Sequence, residues 1–499
     1  MVGISGRQTG AKRTAGLLLK QAGLFAVSLA LAACAVGPDF KPPVTQPAAL
    51  VNARSSDHAP LLAQTPDGLW WQQFDDAVLN QLISRALESN LDLRMAVDRV
   101  RAARAAFSGA EFDYGPHVPL TAGYSHSKEQ EPGFGSQRID AESYTAGFDA
   151  TWELDLFGHV RRSVEAARGD LAAEQEDLLD VRITVAAEVA RNYFSLRSTQ
   201  QQIQVALDNL ANQRETVRLT SLRYESGRGT ELDVQSSRAR LKATEATLPQ
   251  LQTAQAAARY RLAVLLGQRP GALDAELEPH VAPAYAKALP IGNDGDDAAG
   301  LLRNRPDVRA AERRLAAATA RVGVATADLF PRVTVTGFVG FLSGDFAHLF
   351  SSSSGTDARA WAIAPSVSWP ALDYGSVRAR LRASRANADG ALVSYEKTVL
   401  TALEETENAF VGYREQQMRL KSLLEQAEAS RRAADLAAVQ YREGVADFLT
   451  LLDAQRTQLA AESDVAESEG AVNMGVVAIY KALGGVGQPP DRPLLVTRR

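Results

Sequence analysis

The sequence predicts a mainly α-helical chain that also contains transmembrane β-strands and is built from two similar halves. Three observations carry this prediction. Two helical patterns of about 65 to 70 residues contain no proline, and helices of that length measure about 100 Å, too long for a compact domain. Four segments of about ten residues alternate apolar and polar side chains. Matching residues also recur at a nearly constant offset, which indicates duplication.

The overall composition limits the class of protein. The chain has 499 residues, 45% of them hydrophobic, which suits two or three domains or one elongated assembly but not a polytopic helical membrane protein. Residues 1–33 carry four basic residues and no acid, which leaves 50 of the 54 basic residues against 59 acidic ones. That negative balance argues against nucleic acid as a partner.

The first residues have the pattern of a signal peptide over 1–33. Basic residues precede an apolar run that, at about twelve residues, is short of the roughly 20 that span a bilayer as a helix. The run ends in Leu31-Ala32-Ala33-Cys34, which resembles the bacterial lipobox and implies a covalent lipid on Cys34, the single cysteine. Ala35 rather than aspartate follows, and by the same resemblance this favours sorting to the outer membrane. The alternative is an ordinary secretory signal that happens to contain a cysteine.

The first half follows a proline-rich stretch. Residues 34–66 are predicted to form an extended, lipid-anchored strap, and the first structural repeat is expected over 67–267. Its predicted elements are strands at about 117–126 and 143–152, a long helix at about 157–226 and a return helix at about 230–266. Gly227 is expected to end the long helix, and Pro249 to kink or break the return helix. Residues 268–297 are predicted to be a linker.

The second half repeats the first, and a second structural repeat is expected over 298–484. Residues that match between the halves lie 215 to 217 positions apart, among them Asp92 and Asp307, Pro116 and Pro331, Trp152 and Trp369, Asn192 and Asn408, Tyr224 and Tyr441, Gly227 and Gly444, and Gly267 and Gly484. The predicted elements are strands at about 332–342 and 359–369, a long helix at about 375–442 and a return helix at about 446–483. Residues 485–499 are predicted to be a disordered tail.

The four strands have the length and alternation of transmembrane barrel strands. An open sheet edge in lipid leaves backbone groups unpaired, so four strands per chain predict an oligomer. Two chains would supply eight strands and three chains twelve, and the alternation alone does not decide between them. Half of a soluble β-sandwich is an alternative for the strands. A periplasmic coiled-coil spacer would account for the long helices but not for the strands between them.

No residue pattern indicates an enzyme. No two of the six histidines lie three or four residues apart, so no local metal site is expected. Ser125-His126-Ser127-Lys128 and Ser394-Tyr395-Glu396-Lys397 match Ser-x-x-Lys, but the companion motifs of those serine enzymes are missing. The chain is therefore expected to have no catalytic residue, no metal and no cofactor apart from the lipid on Cys34.

Segments along most of the chain resemble the TolC-like outer-membrane factors, in the lipoprotein (NodT/OprM-type) branch that serves RND tripartite efflux systems. The segments that carry this resemblance are Gly37-Pro38-Asp39-Phe40, Trp70-Trp71-Gln72-Gln73-Phe74, Arg305-Pro306-Asp307-Val308, Tyr441-Arg442-Glu443-Gly444 and Leu451-Leu452-Asp453-Ala454-Gln455-Arg456. The resemblance implies a homotrimer with a 12-stranded barrel in outer-membrane lipid and a long periplasmic α-helical barrel. Its implied partners are a periplasmic adaptor and an inner-membrane RND transporter.

The same resemblance implies a gate at the periplasmic tip. It places Leu449 in an apolar constriction, Asp453 in a ring of carboxylates around the threefold axis, and Arg456 and Asp447 as their polar partners. Clustered carboxylates repel one another unless they are paired, so a guanidinium would tune closure. Ser236 stands in the first repeat where the second has Asp453, so the second repeat is expected to hold the gate. By spacing alone, Asp453 and Arg456 also fit an ordinary exposed helix pair.

The two turns between the long and return helices are the implied contacts with the adaptor. The residues concerned are Tyr224, Gly227, Tyr441 and Gly444, although both glycines also fit simple helix C-caps. The expected function is a passive exit duct for an RND-type pump. The alternatives are an outer component of type I protein secretion and a structural periplasmic lipoprotein. The lipobox and the strap favour RND efflux, and nothing in the sequence indicates the substrate.

Overall fold

The fold was analysed in a computed structural model that describes residues 35–43, 69–130, 138–278, 304–353, 355 and 357–485. The predicted signal peptide, Cys34 and the disordered tail beyond residue 485 lie outside the described residues, as do most of the strap and of the linker. The chain divides into two compact units. One comprises residues 1–43, 100–174 and 311–395, and the other comprises residues 44–99, 175–310 and 396–499.

Each half of the described chain runs helix, strand, strand, long helix and return helix. The elements of the first half are α1 (Ala77–Ser89), α2 (Leu91–Phe112), β1 (Leu120–Gln130), β2 (Arg138–Leu154), α3 (His159–Glu225), α4 (Glu231–Leu265) and the short α5 (Asp274–Leu277). Those of the second half are α6 (Pro306–Ala327), β3 (Arg332–Ser343), β4 (Arg359–Ser368), α7 (Tyr374–Glu443) and α8 (Phe448–Ala482). One 3-10 turn, Trp70–Phe74, precedes α1, and another, Phe346–His348, lies between β3 and β4.

The observed element ends differ from the expected ones for local reasons. Strands β1 and β2 extend beyond their apolar stretches because backbone pairing continues through polar residues to Gln130 and Arg138. The long helix of the first half starts at His159, two residues later than predicted, because Gly158 has a φ of 87° and the Asp155 carboxylate accepts hydrogen bonds from the first helical N–H groups. The division of the chain into the predicted segments remains a prediction.

Two local features mark the end of the first half. Of the kink or break expected at Pro249, the break does not occur, since α4 is continuous from Glu231 to Leu265. The start of the predicted linker is also folded. Leu273 and Leu277 are buried, and the Gln200 side chain donates a hydrogen bond of 2.7 Å to the Leu277 carbonyl. Packing therefore continues to at least Leu277.

An aromatic cluster holds the chain around the start of α1. Trp70 is only 1% exposed and stacks on Tyr480 of α8 with the ring centroids 5.2 Å apart. Phe74 packs against Phe194 of α3 at 4.7 Å. Elements from the beginning, middle and end of the chain therefore share one apolar core.

We expect Trp70→Ala to lower the free energy of unfolding by about 3–5 kcal/mol, because it removes a large buried ring and leaves a cavity. Denaturant unfolding followed by helical circular dichroism measures this loss. Leu69→Ala is the neighbouring control, since Leu69 is already 40% exposed and should change stability little. Equal losses for the two variants would contradict this account of the cluster.

The duplication is visible in matching hydrogen bonds. Asn90 donates a side-chain hydrogen bond of 2.8 Å to the Leu265 carbonyl, and Arg305, its counterpart, donates one of 2.8 Å to the Ala482 carbonyl. Both carbonyls lie at the end of a return helix, where backbone acceptors lack intrahelical partners. The indole N–H groups of Trp152 and Trp369 likewise donate to the carbonyls of Tyr114 and Leu329. Residues at equivalent positions therefore form equivalent hydrogen bonds in both halves.

An acidic side chain lies near the buried guanidinium of Arg305. Burial, together with repulsion from Asp307, raises the pKa of the Asp180 carboxyl on α3 to about 6, and Arg305 and Lys481 oppose that rise. Asp177 adds a weaker repulsion. The folded chain consequently binds a proton at Asp180 at a pH where the unfolded chain does not.

This shift predicts an unusual pH dependence. Between pH 3.8 and about pH 6 only the folded state holds the Asp180 proton, so the free energy of unfolding should fall as the pH rises through that window. Asp180→Asn should remove this fall and raise stability at pH 7 by about 1–3 kcal/mol. Urea midpoints at pH 4.5 and 7.5 measure it, with the exposed Asp208→Asn on the same helix as control. A pH dependence that Asp180→Asn leaves unchanged would contradict the prediction.

The four strands form one antiparallel sheet in the order β1-β2-β3-β4. Pairing across the sheet keeps the alternation in register, since Leu120 pairs with Phe148, Phe148 with Val339, and Val339 with Trp361. Most apolar side chains of the four strands therefore share one face, and the opposite face carries mostly small and polar residues together with Phe338 and Leu342 of β3.

That apolar face is open to solvent in the single chain. Trp361 is 77% exposed, and Leu120, Ile363 and Val367 are exposed as well. Strands β1 and β4 are the two edges of the sheet, and each pairs with one neighbour among the described strands. None of the described helices is long and apolar enough to cross a bilayer.

Candidate functional site

The first candidate turn joins α3 to α4. After the last residue of α3, Gly227 adopts a φ of 71°, and its N–H donates to the Tyr224 carbonyl at 2.9 Å. Thr230 then caps α4, because its hydroxyl accepts from the Asp233 N–H while the Asp233 carboxylate accepts from the Thr230 N–H. Glycine is used here because the left-handed conformation is costly for a residue with a Cβ. The turn is thus closed by its own capping groups.

The second candidate turn, between α7 and α8, follows the same plan with a different cap. Gly444 has a φ of 77°, and Val445 N–H donates to the Gln440 carbonyl at 2.9 Å. The Asp447 carboxylate accepts from both the hydroxyl (2.6 Å) and the N–H (2.8 Å) of Thr450, and these bonds lower its pKa. Asp447 is therefore the N-cap of α8, and in this chain its carboxylate bonds to Thr450 rather than to Arg456.

The two tyrosines of the turns lie in different environments, although they are matched in sequence. Tyr224 is 47% exposed. Tyr441 is only 4% exposed and forms a small apolar cluster with Ala437, Phe448 and Leu451. Burial raises the pKa of its hydroxyl. Tyr441 in the second turn is consequently packed against the adjoining helices, whereas the side chain of Tyr224 in the first turn is accessible to a partner.

An arginine that the sequence reasoning missed links the two turns. Arg223, at the end of α3, places its guanidinium 4.6 Å from the centre of the Tyr441 ring and donates a hydrogen bond to the Tyr441 carbonyl. The carbonyl belongs to the last turn of α7, where acceptors need a partner from outside the helix. We call this arrangement the Arg223 clamp. One signal was present in the sequence, since the position before the matched tyrosine is arginine in the first repeat and Gln440 in the second.

The predicted gate residues lie on the first three turns of α8. Leu449 is 59% exposed, and it lines an open groove of about 680 Å³ together with Asp453 and residues of α7 such as Leu436 and Gln440. Asp453 and Arg456 form an ion pair of 2.9 Å, with both side chains exposed. The structure therefore brings Leu449, Asp453 and Arg456 together, while Asp447 serves as the helix cap beside them.

A second arginine lies near Arg456. Burial and then the positive charge of Arg456 lower the pKa of Arg240 on α4. Among the described residues the Arg240 Nε atom has no hydrogen-bond partner. Arg240 and Arg456, on two different helices, are therefore close enough for their positive charges to interact. No spacing signal pointed to Arg240, because it lies on a different helix from Arg456.

The described part of the chain gives little support for a metal site. No group of three or more histidine, cysteine, aspartate or glutamate side chains there could hold a metal ion. The features that distinguish the molecule are an open sheet with one exposed apolar face and pairs of long helices that end in two capped turns. Together they define the class of an outer-membrane channel built from strands and long helices.

Comparison with known proteins supports that class. The outer membrane efflux protein family matches residues 82–268 and 299–485, one match in each half, and the chain belongs to this family. It is an outer-membrane efflux channel that extends into the periplasm. The resemblance inferred from the sequence is thus confirmed, as is the mainly helical fold with a β-barrel domain.

Individual relatives are similar over nearly their whole length. The outer membrane protein OprJ of Pseudomonas aeruginosa is 30% identical over 95% of this chain and 97% of its own. Nodulation protein T of Rhizobium leguminosarum bv. viciae is 30% identical over 88% of each chain. The solved structure of the outer-membrane channel OprN is 50% identical, with a TM-score of 0.84, and covers 91% of this chain and 99% of its own.

Proposed function

We propose that the chain is the exit duct of an RND-type tripartite efflux pump and that it acts as a homotrimer. The observation that carries this proposal is the open four-stranded sheet, with its exposed apolar face and its two edge strands. In lipid such edges must be paired. Three copies would join edge to edge into a closed barrel of twelve strands, with the apolar face towards the outer-membrane lipid.

The periplasmic end of this duct would be closed by the second repeat. In a trimer, three copies of Leu449 would form an apolar constriction and three copies of Asp453 a ring of carboxylates, with Arg456 as the counter-charge. Asp447, the N-cap of α8, would lie beside this ring as a polar partner. The ion pair between Asp453 and Arg456 supports this arrangement, because a guanidinium beside each carboxylate offsets the repulsion between three clustered carboxylates.

The two turns would receive a periplasmic membrane-fusion adaptor, which in turn joins an inner-membrane RND transporter. Tyr224 and Gly227 present an exposed surface for this contact, and Gly444 is exposed as well, whereas Tyr441 would act by holding the second turn in shape. A covalent lipid on Cys34 would anchor the chain and is the only prosthetic group proposed. The duct would be passive, with no catalytic activity and no nucleic-acid partner.

Photo-crosslinking from the turns tests the assignment to a tripartite pump. A photoreactive residue at Arg228 or at Val445, both exposed beside the turn glycines, should capture the adaptor in intact cells. The same residue at Arg94 on α2, which is exposed but distant in sequence from both turns, is the control. Capture of an adaptor that belongs to a protein-secretion system would favour the type I alternative. No adduct from either turn, in cells that assemble the protein, would contradict the proposal.

A further inference from the structure

The described part of the strap is seated against the fold. The Val36 N–H donates a hydrogen bond of 3.1 Å to the carbonyl of Phe157, which lies between β2 and α3. The Phe157 ring stacks on Phe330, just after α6, with the centroids 4.8 Å apart. Residues of the strap, of the first half and of the second half therefore meet in one compact unit.

Glycines allow the strap to approach unusually closely. A Cβ on Gly37 would lie 2.5 Å from the Cα of Gly323 in α6, and Gly37 has a φ of 96°. A Cβ on Gly158 would lie 2.9 Å from Ala35. Backbone atoms cannot give way as a flexible side chain can, so any larger residue at these positions would push the strap outward. The close fit distinguishes this segment from a tether that merely rests on the surface.

Arg162, in the first turn of α3, is the polar centre of the contact. Its side chain is only 6% exposed, and its Nη2 atom lies 2.6 Å from a carboxylate oxygen of Asp39. Its Nε donates to the Val36 carbonyl at 3.4 Å, and its Nη1 donates to Glu165 at 2.7 Å. A buried guanidinium requires partners for its donors, and the strap supplies two of them.

We propose that residues 36–39 occupy a binding cleft formed by the start of α3 and Gly323 of α6, and that Arg162 is the residue that receives and positions this segment. The cleft explains the run Gly37-Pro38-Asp39. Glycine allows the close approach, proline holds the chain extended, and aspartate pairs with Arg162. Docking keeps Ala35, the residue after Cys34, against Gly158 at the junction of β2 and α3.

The cleft has a consequence for the membrane anchor, and this part rests on the proposed function. If the nine residues 35–43 were not docked, they would extend up to about 30 Å. The acyl chains would then have no fixed position relative to the fold. The docked segment instead makes the acyl group enter the membrane beside the end of β2. The position of the acyl group in the membrane would thus be set by the protein fold and not by the acyl group itself.

Limited proteolysis of the full-length protein tests the cleft. Chymotrypsin cleaves after Phe40. The released N-terminal fragment is identified by its mass, and its amount over time gives the cleavage rate. Docking should protect this bond, so Gly37→Ala and Asp39→Asn should each accelerate cleavage by about tenfold, as the undocked population rises. Glu165→Gln is the matched control, because Glu165 pairs with the same Arg162 but does not belong to the strap. Wild-type rates in both strap variants, or an equal acceleration in the control, would overturn the proposal.

A second variant separates the cleft from the lipid. The chain with Cys34→Ser, exported by a leader cleaved before residue 34, lacks the acylation site and should keep the wild-type resistance after Phe40. Loss of resistance in this variant would assign the positioning to the acyl group and overturn the proposal. Channel conductance is measured on the same preparations. A protected strap in a non-conducting protein would refute the duct and leave the cleft intact, and an unprotected strap in a conducting protein would do the reverse.

Discussion

An Arg223→Ala variant is expected to leak. The Arg223 clamp joins the end of α3 to the Tyr441 ring and carbonyl at the end of α7, so any separation of the two turns must break both contacts. A cation–π contact and a hydrogen bond from a charged donor contribute about 1–3 kcal/mol in partly buried sites, which corresponds to a change of about 5- to 150-fold in a closed-to-open ratio. The open probability of single channels should rise accordingly, and cells should become sensitive to vancomycin, which the outer membrane normally excludes.

Two further substitutions make this experiment specific to the clamp. Arg223→Lys keeps the charge but loses the planar guanidinium, so we expect an intermediate open probability. Arg228→Ala removes an exposed arginine five residues away, in the first turn, and should conduct like the wild type. If Arg223→Ala assembles correctly and its open probability equals that of Arg228→Ala, the clamp does not hold the two turns together.

Removing Asp453 and Arg456 together is the second change with a large expected effect. The double variant Asp453→Ala with Arg456→Ala should raise open probability by about tenfold, which corresponds to 1.4 kcal/mol. The reason is that the proposed carboxylate ring and its counter-charge disappear while the helix remains. As an isolated helix pair these residues are worth only a few tenths of a kcal/mol, so the unfolding midpoint should not move.

A closely matched ion pair on another helix serves as control. Glu215 and Arg218 on α3 are also three residues apart, and their side chains are 62% and 65% exposed, compared with 68% and 66% for Asp453 and Arg456. Their double alanine variant should leave conductance at the wild-type level. If both double variants behave alike in single-channel recordings, Asp453 and Arg456 are an ordinary exposed pair and not a gate.

The parts of the fold that follow from local patterns were predictable. Alternation placed Leu120, Phe148, Val339 and Trp361 each on the apolar face of its own strand, because a strand offers only two faces, and the pairing brings these faces together. Glycines at 227 and 444 marked the ends of the long helices, because those backbone conformations disfavour other residues. Such signals depend on a residue and its near neighbours, which the sequence contains.

Contacts between distant segments were not predictable in the same way. Arg223 reaches Tyr441 across 218 positions, and Arg162 reaches Asp39 across 123, so neither partner has a local spacing signal. Pro249 was expected to kink or break α4, and the helix is continuous through it, because a proline removes only one hydrogen bond from a helix of 35 residues. Positions that match in sequence also differ in their environment, since Tyr441 is buried and Tyr224 is exposed. The roles of the individual gate residues remain predictions for the same reason, because they depend on neighbouring copies of the chain.

The most direct test of the exit-duct account is a measurement on the purified full-length protein. Its mass in native detergent complexes and its conductance in planar bilayers are recorded on the same preparation. The account predicts a trimer that inserts as a pore with discrete conductance steps, because three open sheets joined edge to edge would pair every strand edge and enclose a pore. A stable monomer that inserts without conducting would contradict it.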